Sequence, residues 1–337
     1  MAEMSEVAER HREATSDARA AGAPDEVSAG AHVETMGSVS ALLTETQRRR
    51  LAELGVDTDE KLAEAYRTAG GFEGGARGTR MAAPVRGSVP NAVFQRMEKH
   101  AVNVNRRAIR TLLENTHEPA LCRLQADLAA CLEEHGFTQV VTPTVISATQ
   151  LDRMSIDADN PLRRQVFWLD GNACLRPMLA PGLYTVSRKL MQTAPLPLRV
   201  FEIGSCFRRE SEGRTHLSEF TMLDLVEWGT PLEERTMRLR ELDELVLEAA
   251  GMHGCRTEED NSVIYGKGLD AVDAEGLELA SSSMGPHPLD PAWGIDCTWV
   301  GIGFGLERLL QSREHRGGIH PYARSVTYLD GAALNIR

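Results

Sequence analysis

The segment WVGIGFGLERLLQ, Trp299 to Gln311, constrains this chain more than any other. Bulky residues alternate with Gly301, Gly303 and Gly305, then run into a helical pattern that carries Arg308. Successive strand side chains point to opposite faces, so one face here is bare backbone that a flat ligand can approach closely. The spacing is GxGxG, not the GxGxxG of a dinucleotide fingerprint, and neither a βαβ unit nor a downstream acidic partner accompanies it. Taken alone, the segment also fits a glycine-softened strand in a packed core.

A second element lies about a hundred residues earlier. FRRESEGRTHLSEF, Phe207 to Phe220, sits between two apolar strand-like runs and reads as a hairpin with a charged, glycine-bearing loop. Arg208 and Glu210 are two apart, hence on one face of the sheet. An arginine there can hold a carboxylate and a phosphate oxygen with its planar fork. Ordinary solvated surface charge is the competing explanation for this hairpin alone.

The rest of the chain frames these two elements. Residues 1–37 are rich in Ala, Glu, Ser and Gly with few large apolar side chains, which predicts a disordered tail. Short helices are expected over 38–69, with Thr44 capping ETQRRRLAEL, Gly55 ending it, and a second helix from Asp59 to Thr68. The glycine-dense stretch 70–91 reads as a linker, and 92–337 as the main domain.

Within that domain, helical periodicity runs from Ala92 to His135 and stops at Gly136, followed by a strand from Phe137 interrupted at Pro143. Strands are expected at 165–169, 198–207, 220–228, 263–265, 277–283 and 299–303, with one helix at 231–250. Turns rather than crossover helices join many of them, so the sheet should be largely antiparallel. The six cysteines stand singly, with no zinc-type spacing, and are expected to be reduced thiols. A net charge of -12 argues against a large nonspecific nucleic-acid surface. No apolar run approaches the ~20 residues that span a bilayer, so a cytoplasmic protein with no membrane association is expected.

Together, the Arg-Glu hairpin with its distal aromatic Phe220 and the glycine strand leading to Arg308 resemble motifs two and three of class II aminoacyl-tRNA synthetases. GFTQVVTPTV, with Gly136 and Pro143, is similar to motif one, the dimer-forming strand. LRPMLAPGLY, HLSEFTML and WVGIGFGLERLL narrow the likeness to the catalytic domain of the pyrrolysyl-tRNA synthetase family, in its short form without a separate N-terminal tRNA-binding domain. The fold so implied is α+β: an antiparallel sheet flanked by helices, preceded by a small helical N-terminal region.

The resemblance implies an enzyme that uses ATP and Mg2+ to make an aminoacyl-adenylate and passes the acyl group to tRNA, as a homodimer. The acidic charge leaves open a tRNA-independent ligase that acylates a small amine or a carrier protein. By resemblance, Arg208 and Arg308 are catalytic; Arg208, Glu210, His216, Phe220, Glu278, Ser281 and Arg308 bind ATP; Glu278 and Ser281 hold the metal. Leu179, Leu183, Tyr184, Ser187, Asp224, Val226, Tyr265, Ser283, Trp299 and Gly301 form the amino-acid pocket. Three of these depart from the family. Asp224 stands where the family has an asparagine for the substrate's side-chain amide, and Ser187 and Ser283 replace apolar wall residues. An ionised aspartate only accepts hydrogen bonds, so a cationic or donor-rich side chain is expected.

Overall fold

The computed structural model describes residues 39–70, 89–209, 215–262, 264–315 and 317–336. The expected tail 1–37, most of the 70–91 stretch and Glu210 lie outside the described residues. In chain order the helices are α1 (Val39–Leu42), α2 (Glu45–Glu53), α3 (Asp59–Thr68), α4 (Asn91–Glu114), α5 (Ala120–Glu134), α6 (Ala148–Arg153), α7 (Ala180–Leu190), α8 (Arg235–Ala249), α9 (Asp290–Trp293) and α10 (Leu306–Arg313). The strands are β1 (Thr138–Gln139), β2 (Val145–Ser147), β3 (Ala173–Leu175), β4 (Leu198–Phe207), β5 (Glu219–Trp228), β6 (Arg256–Ser262), β7 (Gly266–Val272), β8 (Glu278–Gly285), β9 (Trp299–Gly305), β10 (Tyr328–Leu329) and β11 (Ala332–Ala333).

Thr44 caps α2 with a capping box: its hydroxyl accepts the Gln47 N–H (3.2 Å) and the Gln47 side chain accepts the Thr44 N–H (3.0 Å). Gly55 follows at φ +80°, the left-handed position where a missing Cβ relieves strain. Leu51, Leu62, Ala65, Val93 and Met97 then bury α2, α3 and the start of α4 against one another. Buried Asn105 fastens this layer to the C-terminal segment. Its amide donates to the carbonyls of Leu54 (2.9 Å) and Ala101 (3.0 Å), and its oxygen accepts the Ala333 N–H (2.7 Å).

The central sheet runs β1-β4-β5-β9-β8-β7-β6, antiparallel throughout except for the β1–β4 pair. Its two faces have different tasks. Leu223, Leu225, Val300, Ile302 and Phe304 pack on α5, α8 and α10 through Leu124, Leu128, Leu242, Val246 and Leu310. Each such side chain contributes roughly 1.5–3 kcal/mol by burial. Strand alternation therefore sends Met222, Asp224, Val226, Trp228 and the three glycines of β9 to the opposite face.

Several sequence expectations need correction. The helical run 92–135 is two helices, because the residue before Pro119 is disfavoured in the α region and the chain turns at 115–119. The strand from Phe137 divides into β1 and β2 around Pro143, which has no N–H to pair, and β2 joins β3 in a separate small sheet. Residues 161–165 form a 3-10 turn capped by the Asn160 side chain, and over 165–169 the only strand-like pairing is an isolated bridge from Trp168 to Cys174. The helix expected at 231–250 starts four residues later, after a turn containing Pro231. Ile264 and Tyr265 form the tip of the β6–β7 hairpin rather than a strand, while Val263 lies outside the described residues. All six cysteines are free. Among the described residues no helix is long and apolar enough to cross a membrane.

Candidate active site

The bare face of the sheet carries a cavity of about 430 Å³. Register fixes its floor. Met222, Asp224, Val226 and Trp228 on β5 lie opposite Gly305, Gly303, Gly301 and Trp299 on β9, and β8 sets Ser281 and Ser283 opposite Gly303 and Gly301. A Cβ at Gly303 would come within 2.8 Å of Asp224 Oδ1 and 3.1 Å of Met222 Cε, so glycine there leaves room for the aspartate.

Arg208, His216, Phe220, Glu278, Ser281 and Arg308 all line this cavity. Arg208 donates from Nε to the Pro177 carbonyl (2.9 Å) and rests 5.3 Å over the Phe220 ring. Arg308 donates to the Thr215 carbonyl (3.4 Å) and, through Nη1, to the Glu278 carbonyl (3.1 Å), and pairs with the Glu278 carboxylate (3.2 Å). His216 Nδ1 lies 3.1 Å from the Thr215 hydroxyl. Glu278 and Ser281 are three apart, an interval that would split them across a regular strand. The β7–β8 register shifts there, Ala271 facing Ala280 and Val272 facing Glu278, and this bulge turns both residues to the cavity.

The closed end is aromatic. Tyr184 meets Trp228 and Trp299 edge-on (5.4 and 6.2 Å between centroids), Trp228 meets Trp299 at 5.7 Å, and Tyr265 meets Trp299 at 6.0 Å. Asp290, itself buried, fixes two of these walls by accepting the Tyr184 hydroxyl (3.1 Å) and the Trp299 indole N–H (3.0 Å). The hairpin tip bearing Tyr265 is held from below. Leu289 N–H donates to His287 Nδ1 (3.2 Å), leaving Nε2 as the donor to the Tyr265 carbonyl (3.1 Å). Leu183, Val226, Ser283 and Gly301 also line the cavity, whereas Leu179 and Ser187 are fully buried and do not.

Asp224 is the charged group between the two ends. Burial, reinforced by the nearby Glu202 carboxylate, pushes its carboxyl up to about 7, with Arg208, the Leu179 amide and Arg176 pulling the other way. Its Oδ1 is buried with no hydrogen-bond partner, and so is the Ser283 hydroxyl. Glu202 faces Asp224 across β4 and β5 but is itself held: it pairs with Arg176 (2.6 Å) and accepts the Thr142 N–H (3.0 Å) and hydroxyl (2.7 Å). A Cβ at Gly204 would collide with the Arg176 guanidinium, and one at Gly182 with Thr142.

Residues 102–315 match the family described as tRNA synthetases class II core domain (F). The chain belongs to the class II tRNA synthetases. It is similar to a crystal structure of pyrrolysyl-tRNA synthetase from Desulfitobacterium hafniense, with 45% identity and a TM-score of 0.75 over 88% of this chain and 99% of that one. A structure of Desulfitobacterium hafniense PylSc, a pyrrolysyl tRNA synthetase, matches at 44% identity and a TM-score of 0.73, covering 87% of this chain and 95% of that one. Class II synthetases are ligases that act on an amino acid and tRNA, and the family generally uses ATP and Mg2+.

Other residues that shape the cavity or hold its walls carry weaker marks in the amino-acid sequence. Glu307, beside Arg308, accepts the Thr221 N–H with both oxygens (3.0 and 2.9 Å) and so docks α10 on the end of β5. Trp228 carries a signal that was available, since it continues the period-two row of Asp224 and Val226. Asp290, Arg176 and Glu202 gave no such signal, because their partners lie far off in sequence.

Proposed function

We propose that this class II enzyme converts an amino acid with a polar or cationic side chain into its aminoacyl-adenylate and passes the acyl group to tRNA. The supporting observation is one continuous cavity joining Arg208, His216 and Arg308 to an aromatic closed end, with the Asp224 carboxylate between them. Adenylate formation is an in-line attack by the substrate carboxylate on the α-phosphate of ATP, with pyrophosphate leaving. The protein's part is to position the reactants and offset charge. Arg208 grips the α-phosphate and the substrate carboxylate. Arg308 and Phe220 sandwich the adenine, and Glu210 and His216 border the triphosphate.

Glu278 and Ser281 are the oxygen donors that suit a hard cation, both on the cavity wall. Mg2+ bound by them supplies charge neutralisation to the phosphates. On the amino-acid side, Asp224 when ionised attracts N–H donors and repels an amide carbonyl. Because that carboxyl sits near 7, activation of a cationic substrate should fall as pH drops below 7, and tolerance of amide substrates should rise.

Acid-precipitable charging of bulk tRNA tests the acceptor. Charging that falls by about 10²–10³ in kcat for Arg208→Ala is the expected result. The net charge of -12 favours a different acceptor, a small amine or carrier protein. Adenylate formed without any tRNA charging would select that alternative.

A further inference from the structure

The carboxylate that sets the charge preference of the pocket is not at its closed end. Along β5, Asp224 is followed on the same face by Val226 and then Trp228, four residues further, or about 13 Å of strand. Part of that length is filled. The Trp299 ring folds back over Gly301, where a Cβ would lie 3.3 Å from Cζ3, so the aromatic end begins roughly one pair of residues, about 7 Å, beyond Asp224. Between them the lining is Val226, Leu183, Tyr184 and the Trp299 and Tyr265 rings, plus the Ser283 hydroxyl. A side chain ending in a bare ammonium at Asp224 would leave this apolar space unfilled. A side chain that was apolar throughout would leave Asp224 Oδ1 buried and unpartnered, which is unfavourable for a desolvated polar atom.

We infer that the site takes an amino acid whose side chain carries an N-alkylated ammonium: a cationic nitrogen that keeps at least one N–H for Asp224 and bears an apolar substituent that continues into the Tyr184–Trp228–Trp299 end. The aromatic walls suit this group twice over, by contact with the alkyl carbons and by attraction of the ring faces for the cation next to them. The inference rests on the adenylation proposed above for the same cavity.

The test is ATP–pyrophosphate exchange with the full chain and a graded series: lysine, Nε-methyl-lysine, Nε,Nε-dimethyl-lysine, Nε,Nε,Nε-trimethyl-lysine and the neutral Nε-acetyl-lysine. Each methyl that leaves an N–H in place should raise kcat/KM by roughly fourfold, the worth of one buried carbon. The trimethyl compound, which has no N–H, should drop below the dimethyl one. Acetyl-lysine should be about a hundredfold poorer than dimethyl-lysine, and Asp224→Asn should invert that ratio. Equal or better exchange with bare lysine, or a wild-type preference for acetyl-lysine, overturns this inference and leaves adenylation standing. An ATP-Mg2+ thermal shift with no exchange for any member of the series or any of the twenty standard amino acids overturns both.

Discussion

At the scale of single residues, Asp224 decides the most. Its folded carboxyl titrates near 7, against an ordinary value of 3.8, so the unfolded chain ionises first as pH rises. Stability from this group is therefore greatest below pH 4, declines between about 4 and 7, and stays low above 7. Asp224→Asn should melt higher than wild type at pH 8 and lose that advantage by pH 4, which thermal melts at the two pH values can check. Gly204 is a second residue-scale constraint. The Arg176 guanidinium occupies the space its side chain would need, so Gly204→Ala should lower stability by about 1–3 kcal/mol in urea titration. Asp224 could be singled out from the sequence because it breaks a family pattern. The need for glycine at 204 could not, because the side chain that forbids a Cβ comes from Arg176, twenty-eight residues earlier in the chain.

At the scale of elements, β9 with α10 was the most legible part of the fold. Its alternation of Val300, Ile302 and Phe304 with glycines is the direct imprint of one packed face and one open face. The β6–β7 hairpin was the least legible. RTEEDNS on β6 is charged because the strand lies at the sheet edge, and the apolar Ile264 and Tyr265 sit at the hairpin tip, where they cover the cavity instead of pairing. The join between β5 and α10 depends on Glu307. Glu307→Ala leaves the Thr221 N–H buried without an acceptor, and should cost about 1–3 kcal/mol and raise KM for ATP, through displacement of Arg308. A melt shift with no change in the KM for ATP would show that the join is structural only.

At the scale of the whole molecule, one sheet separates a helix-packed core from an open face that carries the cavity. Class and fold were readable from three motifs in order, whereas the packing of α1–α3 on α4 depends on contacts such as Asn105 that no local pattern announces. The motif-one segment leaves Val141 86% and Val145 49% exposed, which favours a two-fold interface there. Val141→Asp should shift a dimer towards monomer in light scattering, and a wild-type monomer would refute that assembly. The cavity on that face is proposed to activate a carboxylate with ATP. Amino-acid-dependent ATP–pyrophosphate exchange in the absence of tRNA measures this activation most directly. Exchange that requires an amino acid with an ammonium side chain, and that is lost in Arg308→Ala, is the predicted result; exchange that no amino acid supports, by a folded protein that still binds ATP, would contradict it.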